Sequence, residues 1–268
     1  MTLRRRFWLS GLLATAALLA GCVTTAPQAT PQERAALAPT GKLRVGVYGG
    51  SPTSLVLDKS GDKVGVAYEL GREFARWLDV PFEPVEYKRI AEVIEAMKAG
   101  EVDFTFTNAT EARARDVTFT QTMISLELGY LVPRDGKVQT VGDVDRAGVR
   151  VGVAQGSTSQ GTLGRLYKQA GIVPVPSLKV AAEMLSQGTL DAFATNKGIL
   201  HELADNVAGA RVLEGRWGLE HMAIGIPKGR EAGLSYMNHF AFSVRQDGTL
   251  QSAISRAGLR GTVEPSSR

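Results

Sequence analysis

The stretch 102–122 carries the side chains best suited to bind a small anion. A polar loop that includes Thr107 and Asn108 follows an alternation of apolar and polar residues typical of a half-buried strand. Thr110 is a good N-cap residue, so a short helix with outward-pointing backbone N–H groups is predicted after it. Arg113 falls in the first turn, and its guanidinium is suited to pair with a carboxylate. The pattern predicts a carboxylate receptor; the alternative is a surface helix whose arginine faces solvent.

A second loop of similar chemistry lies at Gly156, Ser157 and Thr158. It follows an apolar segment over 149–153 that predicts a strand, and it opens a helical pattern that extends to about Ala170. In open α/β sheets ligands bind beyond the carboxyl ends of strands, which is where both loops are placed. The two loops therefore predict one site with two polar walls.

Alternating strand and helix patterns position these loops. Their order predicts a parallel sheet with right-handed crossovers. After a turn at 133–136 the pattern begins again, which predicts two α/β lobes facing each other across a cleft. The main predicted strands are 43–47, 82–87, 102–106, 126–132, 149–153, 172–175, 190–194 and 221–226, and the main predicted helices are 66–78, 91–98, 178–187, 196–203, 231–245 and 249–257.

The first 21 residues have the pattern of an export signal. A basic run at 4–6 precedes an apolar segment over 7–20 that is too short to span a bilayer as a stable helix. The Leu-Ala-Gly-Cys sequence that ends at Cys22 resembles a bacterial lipoprotein box, so Cys22 is predicted to carry a lipid. The alternative is a plain signal peptide followed by a buried free cysteine. The basic run also partly resembles a twin-arginine export signal. Residues 22–40, rich in Thr, Ala, Pro and Gln, predict a flexible tether.

Charge and cysteine content exclude several classes of protein. Removing the signal takes away three arginines and no acid, so the basic residues fall from 31 to 28 against 27 acidic residues. A nearly neutral mature chain indicates no surface for nucleic acid. Cys22 is the only cysteine, so no intrachain disulfide can form. The three histidines lie singly in the sequence, and we expect neither a metal ion nor a cofactor.

Five motifs occur in one order along the chain. Together they resemble the extracytoplasmic solute-binding proteins of bacterial polar amino acid uptake systems, solute-binding family three, over about Lys42 to Gly261. In the third motif the glutamate is displaced by one position from its place in the family pattern. The motifs are LRVGV at 43–47, MKAGEVD at 97–103, TEARARDVTFT at 110–120, RVGVAQGST at 150–158 and MAIGIPKG at 222–229.

The resemblance implies a type II-like periplasmic binding protein fold, with two hinge strands and a ligand cleft between the lobes. It implies that Arg113 holds the ligand carboxylate, while Asn108 and the backbone around Thr107 line the first-lobe wall. Thr158, with the N–H groups of its loop, would reach the same carboxylate from the second lobe. The implied divisions are a signal over 1–21, a tether over 22–40, a first lobe over 41–132 and 226–262, and a second lobe over 133–225.

The chain departs from the family where the rest of the ligand would be held. Family members often place an aromatic ring after the first strand, where this chain has Ser51; Tyr48 is the alternative source of a ring, and Ile90 a second wall. The acid for the ligand ammonium falls at Asn196. The sequence therefore favours a carboxylate ligand without a free ammonium, such as a keto acid, hydroxy acid or N-substituted amino acid. The alternative is that the alignment slips, or that Asp191 or another acid takes this role.

The function implied is capture of a small carboxylate-bearing solute, an amino acid or a similar organic acid, and its delivery to the permease of an ABC transporter. The protein is expected to be a non-enzymatic monomer, outside the cytoplasm and anchored by its lipid in a bacterial membrane. One alternative is a dehydratase-like enzyme on the same fold, for which Glu127 and Glu220 are the candidate acids. Another is the ligand-presenting subunit of a signalling receptor.

Overall fold

The computed structural model describes residues 28–263 as two α/β lobes joined by long strands. Cys22, the signal over 1–21 and the start of the tether lie outside the described residues. No helix within 28–263 combines the length and apolarity that a membrane span requires. The strands are β1 (Leu43–Tyr48), β2 (Val56–Leu57), β3 (Lys63–Val64), β4 (Phe82–Tyr87), β5 (Thr105–Asn108), β6 (Val117–Phe119), β7 (Ile124–Pro133), β8 (Arg150–Ala154), β9 (Gly171–Val175), β10 (Ala192–Asn196), β11 (Ala210–Val212), β12 (Gly218–Pro227) and β13 (Thr262–Val263). The α-helices are α1 (Pro31–Leu37), α2 (Val66–Leu78), α3 (Ile90–Lys98), α4 (Thr158–Leu166), α5 (Leu178–Ser186), α6 (Lys197–Asn206), α7 (Leu234–Gln246) and α8 (Thr249–Arg256), with 3-10 turns at Arg113–Arg115, Val141–Asp143 and Glu231–Gly233.

The end of the predicted tether is instead part of the folded domain. Thr30 and Glu33 form a capping box, in which the Thr30 hydroxyl accepts from the Glu33 N–H at 3.2 Å and the Glu33 carboxylate accepts from the Thr30 N–H at 2.8 Å. The helix α1 that follows buries Leu37 against Gly233, where an added Cβ would lie 2.3 Å from the Leu37 side chain. The prediction of a flexible chain up to residue 40 is therefore wrong from Thr30 onward, because composition did not reveal the cap.

Strands β7 and β12 run between the two lobes. They pair antiparallel, with Ile124 opposite Met222 and Leu128 opposite Gly218. Towards its carboxyl end β12 pairs with β5 and β6, whereas the carboxyl half of β7 pairs with β10 and β11. Each strand thus belongs to both lobes, which is the arrangement expected of a hinge. Parallel pairing, predicted throughout, holds for β1 with β4 and for β8 with β9 and β10, but not for the strands that cross between the lobes.

The same charged clamp occurs once in each lobe. In the first, Asp103 accepts hydrogen bonds from the Arg44 backbone N–H and guanidinium, while the guanidinium also donates to the Gly100 carbonyl. In the second, Arg150 makes the corresponding bonds to Asp191 and to the Gly188 carbonyl. Both clamps fasten the start of a strand to the turn that follows a helix. The repeated geometry supports the two-lobe interpretation of the repeated sequence pattern.

The lobes contact each other through apolar residues. Tyr48 and Ile90 of the first lobe are buried in one cluster with Leu178 and Ala181 of α5. A Cβ added at Gly156 would lie 2.6 Å from that of Ala91, so the second-lobe loop also approaches the start of α3 closely. The cleft is closed in this structure. We propose the predicted bounds, 41–132 with 226–262 and 133–225, for the two lobes, with α1 added to the first. The hinge strands are shared, because 128–132 pairs with the second lobe and 222–225 with the first.

Candidate functional site

Arg113 begins a single 3-10 turn rather than the predicted α-helix. The Thr110 hydroxyl accepts a hydrogen bond from the Arg113 N–H at 3.3 Å, so Thr110 does act as a cap. The turn is only three residues long, however, and it cannot supply the aligned dipoles of a helix N-terminus. The attraction for an anion in this wall therefore rests on the side chain of Arg113.

One nitrogen of the Arg113 guanidinium is hydrogen bonded to the described protein, and the other two are not. Its Nη1 donates to the Thr107 hydroxyl at 2.7 Å and to the Asn108 carbonyl at 3.1 Å. The Asn108 side chain accepts from the backbone N–H of His221 at 3.0 Å, which fixes the loop to the hinge strand β12. Among the described residues, Nε and Nη2 of Arg113 have no hydrogen-bond partner. Thr107 and Asn108 thus position the arginine, while its free edge remains available to a ligand.

The second-lobe loop offers fewer free donors than the sequence predicted. The N–H of Gly156 donates to the Gln160 side chain at 2.6 Å, and the N–H of Ser157 donates to the Ala154 carbonyl at 3.0 Å. The Ser157 hydroxyl caps α4 by accepting from the Gln160 N–H at 3.1 Å. Within the described chain the Thr158 hydroxyl has no hydrogen-bond partner. Of the three predicted residues, Ser157 and Thr158 therefore keep a hydroxyl hydrogen to donate, and the Thr158 hydroxyl is the one with no other bond in the described chain.

The two polar loops line one cavity. The predicted residues that do not line it are Tyr48, Ser51, Ile90, Thr107, Asn108 and Asn196. The volume of the cavity is about 500 Å³, and Thr110 and Arg113 line one side while Gly156, Ser157 and Thr158 line the other. The volume is large enough for a small organic molecule.

Asn196 contacts an acid that the sequence did not assign to the binding site. Its side-chain amide donates to Oε2 of Glu220 at 3.0 Å, and its carbonyl oxygen caps α6 by accepting from the Ile199 N–H at 3.1 Å. Asn196 is 4% exposed and Glu220 is 9% exposed. In the part of the chain that the structure describes, Oε1 of Glu220 has no hydrogen-bond partner. Its place on the hinge strand had identified Glu220 in the sequence as a candidate catalytic acid, but not as a partner of Asn196.

Arg113 and Glu220 perturb each other's pKa. Burial lowers the pKa of Arg113 from its usual value, and the negative charge of Glu220 opposes this change. Burial likewise raises the pKa of Glu220, and the charge of Arg113 and the hydrogen bond from Asn196 oppose it. Neither charge forms a salt bridge with any side chain in residues 28–263. Each charge therefore affects the pKa of the other although no bond joins them.

Tyr48 lies beside these charges. Burial raises the pKa of its hydroxyl, with hydrogen bonding to Ser51 opposing the rise and the charge of Glu220 adding to it. Ser51 is fully buried and its hydroxyl is 2.8 Å from that of Thr53, so it supports the ring rather than covering a ligand. Tyr48 is the aromatic residue near the site, and Ile90 packs in the same apolar cluster.

Asp191 and Glu127, the other acids considered, are engaged elsewhere. Asp191 belongs to the clamp with Arg150. Glu127 forms salt bridges with Lys197 at 2.6 Å and Arg216 at 3.0 Å. Neither of these two acids is available to a ligand. Exposed Glu111, at the rim of the cavity, and buried Glu220, beside Asn196, remain.

Comparison with known proteins agrees with this architecture. A glutamine-binding protein of Geobacillus stearothermophilus is 26% identical over 193 residues, which cover 70% of this chain and 73% of the relative. A solved receptor for L-cysteine of Neisseria gonorrhoeae matches with a TM-score of 0.74 at 23% identity, over 84% of this chain and 92% of that one. The ancestral amino acid-binding protein AncCDT-1, a precursor of cyclohexadienyl dehydratase, matches with a TM-score of 0.72 at 23% identity, over 83% and 97% of the two chains. The structural matches establish a shared two-lobed fold.

The family assignment follows from the extent of the sequence match. The profile of the bacterial extracellular solute-binding proteins, family 3, matches residues 43–257, from the first strand of the first lobe to the end of α8. This range includes both walls of the cleft and both hinge strands. The chain belongs to the bacterial extracellular solute-binding proteins of family 3.

Proposed function

We propose that this protein captures a small carboxylate-bearing solute, an amino acid or an amino-acid-like organic acid, and delivers it to an ABC transporter permease. Family membership supports solute capture outside the cytoplasm. The names of the relatives, a glutamine-binding protein and a receptor for L-cysteine, support a ligand of amino acid size.

The observation that carries the proposal is the open guanidinium edge of Arg113 in the cleft. A guanidinium presents two parallel N–H groups that match the two oxygens of a carboxylate. The free hydroxyl of Thr158 lies on the opposite wall of the same cleft. A carboxylate between them would contact both lobes, and such a ligand favours the closed arrangement because it binds that state more tightly.

Mass spectrometry of small molecules released from the purified protein, followed by calorimetry, tests this proposal. We expect the released molecule to carry a carboxylate. We expect at least one member of a panel of L-amino acids and small organic acids to bind. Failure of every carboxylate in the panel to bind, together with release of a solute without an acid group, would contradict the proposal.

An enzyme on this fold is a second candidate because of Glu220. A buried carboxyl group in a cleft, with a pKa raised by burial, is typical of a general acid. Incubating the purified protein with its tightest ligand and analysing the solution distinguishes the two functions. Recovery of the ligand unchanged supports binding alone, whereas a product that the Glu220→Gln variant does not form supports catalysis.

We further propose that a lipid on Cys22 anchors the protein, as a monomeric domain, to the extracytoplasmic side of a membrane. The capped start of α1 supports a short anchor, because only residues 22–29 would separate the lipid from the folded domain. More than one acyl chain is required for stable anchoring.

Changing Cys22→Ser should move the protein from the membrane fraction to the soluble fraction, because the acceptor of the lipid is lost. Fractionation of cells that express each form, with detection by immunoblot, measures this. A wild-type protein that is already soluble after lysis would contradict the anchor.

A further inference from the structure

Half-buried Arg113 and buried Glu220 lie close together through Asn108. Arg113 donates to the Asn108 carbonyl, and the Asn108 side chain accepts from the N–H of His221, the residue next to Glu220. No group of the described protein joins the two opposite charges. Arg113 keeps Nε and Nη2 without a partner, and Glu220 keeps Oε1 without one, in the described part of the molecule. Each charge acts on the pKa of the other. Glu220 is about nine-tenths buried, and its only hydrogen bond from the described protein comes from an uncharged amide.

Burying a carboxylate without a cation costs free energy, and the same holds for a guanidinium without an anion. A molecule that carries its own anion and cation satisfies both groups at once. We propose that Glu220 binds the ammonium group of a zwitterionic amino acid whose carboxylate is held by Arg113. This inference rests on the proposed function and adds the residue that selects for a cationic group on the ligand.

The structure also gives a role to Asn196. Its amide hydrogen bonds to one oxygen of Glu220 and its carbonyl oxygen caps α6, so it fixes the carboxylate and leaves the other oxygen to the ligand. Asn196 is a positioning residue. An aspartate there would lie against Glu220, where two like charges oppose each other's ionisation.

The sequence favoured a ligand that lacks an ammonium group, and this inference replaces that prediction. The sequence had left open that another acid takes the place of the missing aspartate. Asp191 does not, because it is paired with Arg150 and Lys137. Glu220 contacts the very residue that occupies the family's position for the acid.

Calorimetry with matched ligands tests the assignment. The probes are the L-amino acid that binds most tightly and the 2-hydroxy acid with the same side chain, which lacks the ammonium but keeps the carboxylate. Wild-type protein should prefer the amino acid. Glu220→Gln has nearly the same shape, and it should weaken amino acid binding by about 30-fold or more while changing hydroxy acid affinity by less than about 3-fold. Retained hydroxy acid binding also shows that the variant is folded.

The outcomes separate this inference from the proposed function. Unchanged amino acid affinity in Glu220→Gln, or equal losses for both probes, would overturn the role of Glu220 while carboxylate binding stands. If neither probe binds to the wild type, the role of Glu220 and the proposed function are both overturned. A second variant, Asn196→Asp, should not tighten amino acid binding if Glu220 is the acceptor, and a clear gain in affinity would overturn the assignment in favour of position 196.

The pH dependence gives an independent measurement. Glu220 loses its charge as the pH falls through its raised pKa, so amino acid affinity should fall on acidification above the range of an ordinary glutamate. Arg113 stays cationic, and Tyr48, whose pKa is raised by burial, stays neutral. On β7, the hydrogen bond from Lys197 lowers the pKa of Glu127. The ring of His221, which contacts Ser125, is present in both proteins and cannot account for a difference between them. The plot of amino acid affinity against pH should therefore be flatter for Glu220→Gln than for the wild type. Identical plots would count against the proposal.

Discussion

Arg113→Ala is expected to weaken binding of the carboxylate ligand by roughly 2–5 kcal/mol, the usual loss when one partner of a buried charged contact is removed. The ligand carboxylate would lose a desolvated partner with two parallel donors. Isothermal titration calorimetry against the tightest ligand of the wild type measures the effect. Arg113→Lys keeps the charge but not the planar fork, so an intermediate loss is expected.

Arg115 provides the matched control for this experiment. It lies in the same 3-10 turn, is exposed, and donates to the Ala112 carbonyl rather than into the cleft. Arg115→Ala should therefore leave affinity unchanged. Equal affinity of wild type and Arg113→Ala would remove the basis of the proposed function. Loss of a cooperative thermal transition in Arg113→Ala would instead show a structural role for the arginine.

Asp103→Ala is expected to destabilise the fold by roughly 3–5 kcal/mol, because it removes the anion from a buried charged network. The Asp103 side chain is fully buried and pairs with Arg44 and Arg230, whose side chains are 15% and 16% exposed. It also accepts the backbone N–H of Arg44. Without it, Arg44 and Arg230 both lose the carboxylate that they share. The free energy of unfolding, measured by chemical denaturation, reports the loss.

The second lobe contains the control for this prediction. Asp191 makes the same bonds to Arg150, but Arg150 and Lys137 are 44% and 50% exposed, so water solvates them when the carboxylate is removed. Asp191→Ala should cost only about 1–2 kcal/mol. A cost equal to that of Asp103→Ala would show that burial does not set the difference between the two clamps.

Local patterns in the sequence predicted the elements and the two polar loops that line the cavity. The helix 66–78 and the strand 82–87 have the predicted bounds, because periodicity of 3.6 or 2 reports directly which face is buried. Arg113 and Thr158 were predicted on facing walls, since loops at the carboxyl ends of strands share one edge of a sheet. The cap at Thr30 was present in the sequence but was obscured by a composition typical of linkers.

The sequence by itself determined the α/β class, the two repeated lobes, the family and the arginine at the cleft, because each depends on residues close together in the chain. Only the tertiary structure decided which donors remain free. Gly156 and Ser157 use their N–H groups within their own loop, and no sequence pattern predicts that. It also decided the partner of Asn196. Glu220 is 24 residues away in sequence and reaches Asn196 through the pairing of β10 and β12 with β7, so a contact between distant strands supplies the acid that the local motif lacks.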